Sequence, residues 1–165
     1  RVLFRSKIYI LAARSASALG IFLNYYFSLI FDKVELVTTT SKTEIYEKMF
    51  RINEEDVFIG ISFPRYSKQA VSAMNFAKRK GARGIALTDS LLSPLAQQAD
   101  FVLLARSDMA SVVDSLVAPL SLINAMIVAT ALKKKDEVSK TFQNLEEIWD
   151  EYEVYEKVEE DPVEA

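Results

Sequence analysis

The run Val57-Phe58-Ile59-Gly60-Ile61 is β-prone and apolar, with no polar residue at alternate positions. A strand that packs on one face alternates apolar and polar residues. One with no polar face must be covered on both sides, as happens inside a parallel sheet with helices above and below. The run stops at Ser62. Phe63-Pro64 excludes helix just before the proline, and Arg65-Tyr66-Ser67 leads into the amphipathic segment 68–80, with Ser67 as its N-cap. A helix N-terminus carries unpaired N–H groups and a partial positive charge. With Arg65, Lys68 and the nearby hydroxyls it suits a small anion, most plausibly phosphate. A simple cap with a solvated Arg65 accounts for the same residues without any ligand.

The same unit of strand, polar turn and helix recurs along the chain. Residues 7–13 read as a first strand, followed by the small-residue turn Arg14-Ser15-Ala16-Ser17. Residues 16–31 form a helix that is apolar almost all round, so it is either doubly covered or part of an oligomer interface. A second strand over 34–38 ends in Thr38-Thr39-Thr40-Ser41, and a shorter helix follows from 43 to 49 or 50. After helix 68–80, Gly81 stands where a C-cap glycine belongs, and 84–88 is the fourth strand. Ser93-Pro94 opens a short helix, with Ser93 as N-cap. Residues 101–105 are the fifth strand, and 111–134 read as one long apolar helix.

Within that last segment, residues 115–132 carry no charge and run into Lys133-Lys134-Lys135, the length and flank of a marginal membrane span. Pro119, Ser121, Asn124 and Thr130 within it, and the complete α/β pattern before it, favour a core or subunit-interface helix. A final amphipathic helix over 136–157 carries Phe142, Leu145, Ile148, Trp149 and Tyr152 in one stripe, for packing on the body or on a partner chain. The domain plan is an α/β body over 1–135, that helix, and an acidic, disordered end over 158–165.

Charge narrows the ligands. Residues 1–135 hold 18 Lys and Arg against 11 Asp and Glu, whereas 136–165 hold 2 against 12. A mildly basic body without a Lys/Arg stripe interleaved with exposed aromatics fits a small anion better than nucleic acid. The chain has no cysteine, which excludes disulfide and thiolate chemistry and is in keeping with a reducing compartment. It has no histidine either, so the commonest general base and metal ligand is missing; no metal site and no cofactor is expected. The start at Arg1 suggests a domain excised from a longer protein.

Parallel strands joined by helices place ligands outside the carboxyl ends of the strands. Those ends carry Arg14, Ser15 and Ser17 after the first strand, Thr38 to Ser41 after the second, Ser62, Arg65, Tyr66, Ser67 and Lys68 after the third, and Thr88 and Ser90 after the fourth. Hydroxyls and cations gathered on one rim point to a phosphorylated sugar or polyol.

The stretch from Asp56 through Ala105, with its Thr88-Asp89, Ser93-Pro94-Leu95-Ala96 and Ala99-Asp100 pattern, together with the opening strand and turn, resembles the sugar isomerase (SIS) domain. The form it resembles is that of RpiR-type bacterial transcription regulators, over roughly residues 7–132. The resemblance implies a three-layer α/β/α sandwich of flavodoxin-like topology with a five-stranded parallel sheet. It also implies a cytoplasmic homodimer that recognises a phosphosugar at two Ser/Thr-rich loops, and DNA contact only through a separate N-terminal helix-turn-helix domain that this sequence does not include. The chain departs from the family pattern at both loops. The usual Ser-x-Ser-Gly-x-Thr is here Ser62-Phe63-Pro64-Arg65-Tyr66-Ser67, so Pro64 and Arg65 replace the inner serine and the glycine. In the first loop Ala12 and Ala13 stand where glycines are expected, and either Ser15 or Ser17 fills the serine position.

The expected function is a non-catalytic effector-binding and dimerising domain, with Arg14, Ser15, Ser17, Ser62, Arg65, Tyr66, Ser67, Lys68 and Thr88 as ligand-binding residues. An aldose-ketose isomerase is the catalytic alternative. Its base would have to be a carboxylate: Asp89 lies on the right rim, Glu44 and Glu47 lie in the second helix, and Glu54 and Glu55 fall on the wrong rim. A structural dimerisation module with a decayed pocket is the third possibility, and Phe63 or Tyr66 filling the pocket would be its mark.

Overall fold

A computed structural model describes residues 6–39, 41–110 and 112–156. Five parallel strands form one sheet: β1 (Ile8–Ala12), β2 (Val34–Val37), β3 (Val57–Ile61), β4 (Arg83–Thr88) and β5 (Phe101–Leu104). Their order is β2-β1-β3-β4-β5. Helices α1 (Ser17–Ile30) and α4 (Val117–Lys133) cover one face, and α2 (Lys42–Met49) and α3 (Lys68–Arg79) cover the other. This is the three-layer, flavodoxin-like arrangement expected.

The missing polar alternation has a direct explanation. Ile8, Ile10, Ala12, Ile59 and Ile61 point into the core under α1 and α4. Tyr9, Leu11 and Phe58 point into the core under α2 and α3. Each strand therefore feeds two cores, and a polar residue on either face would be buried. Helix α3 ends as Gly81 predicts: with φ at +88°, Gly81 donates to the Lys78 carbonyl at 3.0 Å, and Ala82 donates to the Ala77 carbonyl at 3.1 Å. That pair of bonds is a Schellman cap, which a left-handed residue makes possible.

At the amino ends of the strands Asp56 is buried and fully engaged. Its Oδ1 accepts the Lys7 N–H at 2.8 Å, and its Oδ2 accepts the Asn53 backbone N–H and side-chain amide, both at 3.0 Å. Its carbonyl accepts the Arg83 N–H at 3.1 Å. One residue thus ties together the starts of β1, β3 and β4.

Three segments differ from expectation. The apolar stretch over 111–134 is not one helix: an antiparallel hairpin of β6 (Met109–Ala110) and β7 (Val113–Asp114) precedes α4. Pro119 is the reason. In a helix begun at 111 it would lie in the interior, lacking a donor and clashing with the carbonyl four residues back; with the start at Val117 it falls in the first turn, where N–H groups are unpaired anyway. The second difference is at Ser93-Pro94, where turns lead to a 3₁₀ turn, Ala96–Gln98, instead of a helix. Its N-cap is Leu95 and not Ser93, though Ser93 Oγ accepts the Ala96 N–H at 3.1 Å in the turn before it. The third is the last helix: α5 (Lys135–Glu151), which follows α4 after a 98° bend and packs against α1, ends at Glu151 instead of 157, where the chain turns through the left-handed Glu153, φ 49°. The acidic end over 158–165 lies outside the described residues. Among the described residues no single helix is long and apolar enough to cross a membrane.

Two partly exposed carboxylates make stability pH-dependent. Glu35 is held below its ordinary value by its hydrogen bond from Lys7 at 2.8 Å, and Asp100 by its bond to Lys78 and then by the Gly84 N–H at 2.7 Å. Folded-state values below the unfolded ones mean that the unfolded chain binds more protons in acid. The contribution is complete above about 4.5 and is lost as pH falls through the depressed values. Urea midpoints should therefore drop as pH falls from about 6 to 3, and drop less in a Glu35→Gln, Asp100→Asn variant.

Candidate functional site

β1 and β3 are hydrogen-bonded neighbours, with Ala12 opposite Ile61. The chain leaves β1 toward β2 on one side, while β3 lies on the other. Their carboxyl ends therefore form the switch point at which α/β sheets open a crevice. The turn after β1 passes through Ala13 into a 3₁₀ turn, Arg14–Ala16; the turn after β3 runs through 62–67 into α3. Between them lies a cleft of about 40 Å³.

Of the nine ligand-binding residues expected, Arg14, Ser15, Ser62, Arg65 and Ser67 line this cleft. The buried Ser62 accepts the Ser67 N–H through its hydroxyl at 2.9 Å, which folds the second turn back on itself. Ser67 does cap α3, its Oγ accepting the Ala70 N–H at 3.3 Å. Phe63 is buried at the cleft wall and Pro64 lies exposed beside it.

Arg14 and Arg65 both have left-handed backbones, with φ of 60° and 65°. A residue with a side chain adopts that conformation at a cost of about 1–2 kcal/mol, and glycine adopts it freely. Arg65 occupies the position where the resemblance led us to expect glycine, so the turn keeps the glycine path and gains a cation.

The other four lie outside the cleft lining. Ser17 is the first residue of α1 and the exposed Lys68 the first of α3. Tyr66 turns away and donates its hydroxyl proton to Asp89 Oδ1 at 2.9 Å; the fully buried Thr88 donates to the same oxygen at 3.3 Å. Burial, and next the Asp89 carboxylate, raise the Tyr66 phenol above its usual 10, which keeps it a donor. Together these three brace the β3 turn against the end of β4.

Two polar lining residues escaped the sequence reading, Ser107 and Asp114. The Asp114 carboxylate accepts from Ser15 Oγ at 2.9 Å and lies 3.8 Å from the Arg65 guanidinium. The hairpin carrying it is held at its base, where Ser107 Oγ donates to the Ser115 carbonyl at 3.0 Å. Reading 111–134 as one helix hid Asp114; Ser107 lies in the short segment between the fifth strand and that span, to which no role was given. Pro119 was the available signal that the helix begins later, leaving the preceding loop free to fold over the strand ends.

Among the described residues no cluster of acidic side chains could hold a metal ion. The site is made of hydroxyls, two cations and one carboxylate, a set suited to binding an oxyanion or a polyol.

A comparison with curated proteins finds an uncharacterized HTH-type transcriptional regulator of Caldanaerobacter subterraneus, 34% identical over 101 residues, which are 59% of this chain and 36% of the regulator. The chain thus spans about a third of that relative's length. Among solved structures, the sugar isomerase domain of an RpiR transcription factor from Sphaerobacter thermophilus superposes with a TM-score of 0.79 at 24% identity, over 88% of this chain and 80% of the other. Vibrio vulnificus NanR complexed with ManNAc-6P superposes with a TM-score of 0.73 at 17% identity, over 90% of this chain and 57% of the other. These likenesses show a shared fold. The SIS domain family matches residues 4–129, the whole sheet and most of α4, and to that family this chain belongs.

Proposed function

We propose that this chain is the effector-sensing, dimerising domain of a cytoplasmic transcription regulator, and that it binds a phosphosugar or related anionic carbohydrate at the carboxyl ends of β1 and β3. The observation that carries this reading is the convergence of Arg14 and Arg65, on two glycine-like turns, with the hydroxyls of Ser15, Ser62 and Ser67 at the N-terminus of α3. The sugar-phosphate complex of NanR supports the ligand class, and the regulator relative supports the role. The longer relative leaves room for a separate helix-turn-helix domain, through which DNA would be bound. A non-catalytic role is favoured because Asp89, the carboxylate expected on this rim, is engaged by Tyr66 and lies outside the cleft, and Asp114, the carboxylate that does line it, is paired with Ser15 and Arg65.

A second copy of the chain is the partner. Helix α4, uncharged from Val117 to Leu132, buries only Pro119, Ile123 and Ile127 and leaves Val117, Val128 and Leu132 more than half exposed; α1, which packs against it, exposes Ile21 and Tyr25. An uncharged surface of this extent is characteristic of a protein interface. Effector binding acts on transcription only if it favours one subunit arrangement over another.

The test is thermal unfolding against a panel of sugar phosphates, their unphosphorylated sugars, inositols and inorganic phosphate. A ligand at 100 times its dissociation constant should stabilise the chain by about 2.7 kcal/mol. Arg65→Gly keeps the turn conformation and removes the cation, so it should abolish the shift without destabilising the free protein. Solution scattering of the same samples should show a dimer whose shape changes with the active compound. No shift with any phosphorylated compound would refute the ligand class, and interconversion of an aldose and ketose phosphate above blank would refute the non-catalytic reading.

A further inference from the structure

We infer that Asp114 is an internal stand-in for the ligand's anionic group: its carboxylate closes the cleft by bridging Ser15 and Arg65, and an incoming phosphate must displace it. The inference rests on the proposed anion site and adds how that site is gated.

Three observations converge on it. The first is position. Asp114 comes from the hairpin preceding α4, whereas its two partners sit on the turns after β1 and β3; the carboxylate therefore spans the two sides of the cleft. The second is chemistry. A carboxylate accepting from a serine hydroxyl and facing a guanidinium makes the contacts that a phosphate oxygen would make there. The third is volume. About 40 Å³ accommodates a few water molecules, at about 10–15 Å³ each, and is too small for a sugar phosphate. The cleft must open for any such ligand, and the hairpin is held over it by contacts that a competing anion can replace.

The Arg65 guanidinium is largely exposed, with 64% of its side chain accessible, so its pairing with Asp114 is screened and readily exchanged. A negative charge within the cleft also repels an incoming dianion. Removing that charge while keeping the side chain's shape should therefore tighten anion binding instead of weakening it. A residue serving only to anchor the hairpin would do the opposite, because its loss would loosen the loop and leave affinity unchanged or lower.

Calorimetric titration of inorganic phosphate and of a hexose 6-phosphate into the wild-type chain, Asp114→Asn and Asp108→Asn tests this. Asp108 is an exposed carboxylate at the hairpin base that does not line the cleft, so its variant reports the effect of net charge alone. The expected result is an affinity about tenfold higher in Asp114→Asn, or phosphate binding that appears only in that variant, with Asp108→Asn close to wild type. Equal or weaker binding by Asp114→Asn, with a wild type that binds, would overturn the gate and leave the anion site standing. An equal gain in both variants would reduce the effect to net charge and overturn it as well. Absence of binding in all three would overturn the gate together with the anion site.

Discussion

Truncating Phe58 to alanine is expected to lower the unfolding free energy by about 3–5 kcal/mol, the range for removing a fully buried aromatic ring. Phe58 has no exposed surface and is the second residue of β3, packed in the core shared with Met74, Ala77 and Leu95. Relaxation around the lost ring is restricted from several sides. A Cβ placed on Gly60 would already stand 3.1 Å from Leu95 and 3.3 Å from the Phe58 ring, so this part of the core has no slack. The backbone on either side is locked into the sheet by β1 and β4. Guanidinium denaturation at fixed protein concentration measures the loss; Phe58→Leu should cost roughly a third as much, since it restores most of the volume. A loss below about 1 kcal/mol in the alanine variant would mean that this core is loosely packed, contrary to the contacts described.

Asp56→Ala is expected to cost about 3 kcal/mol by a different mechanism. Three donors converge on one buried carboxylate, and without it the N–H groups of Lys7 and Asn53 lose an ionised acceptor in a site largely closed to water. Hydrogen bonds to charged groups contribute about 1.5–3 kcal/mol each, and part of that is offset because the carboxylate no longer has to be desolvated. The loss should fall on cooperativity as well as on the midpoint, since the bonds link the starts of β1 and β3. Asp56→Asn retains the shape and one acceptor oxygen and should recover part of the loss. Hydrogen exchange gives an independent check: the Lys7 and Asn53 amides should exchange faster in Asp56→Ala than in the wild type, while those of α3 change only with global stability. An alanine variant as stable as the wild type would show that these donors find water instead.

Phe58 lies in β3 and Asp56 directly precedes it, and three parts of the segment 56–62 do three jobs. Asp56 closes the amino end, Phe58 fills one core from the middle, and Ser62 begins the turn that lines the cleft. The amino-terminal and central parts are rigid because every polar group and every surface is matched. The carboxyl end is where the structure tolerates strain, with Arg65 in a backbone conformation suited to glycine, and strain held at a strand end next to a cleft is a feature of binding sites.

Much of this architecture was legible in the residues. Apolar runs lacking alternation marked the strands, and Gly81 marked the end of α3, because each is a local requirement: a strand covered on both faces needs two apolar sides, and a Schellman cap needs a left-handed residue. The turn at 62–67 was legible for the same reason, since Pro64 forbids helix before it and Ser67 caps the helix after it. The left-handed backbone of Arg65 was not, because arginine at that position argues locally against the conformation, and only the surrounding sheet and helix impose it.

What the residues determined by themselves was therefore the set of strands and helices and the hydroxyl-bearing turns between them, all set by contacts within a few residues. The tertiary structure decided which turns meet. Placing β1 beside β3 is a choice among long-range pairings of similar apolar strands, and it brings Ser15 to Ser62 and Arg65 while leaving Tyr66 and Thr88 to brace the neighbouring strand end. The hairpin before α4 was decided in the same way. Its Asp114 meets Ser15 across 99 residues of sequence, a contact no local pattern encodes, because it exists only once the sheet has set the two turns side by side.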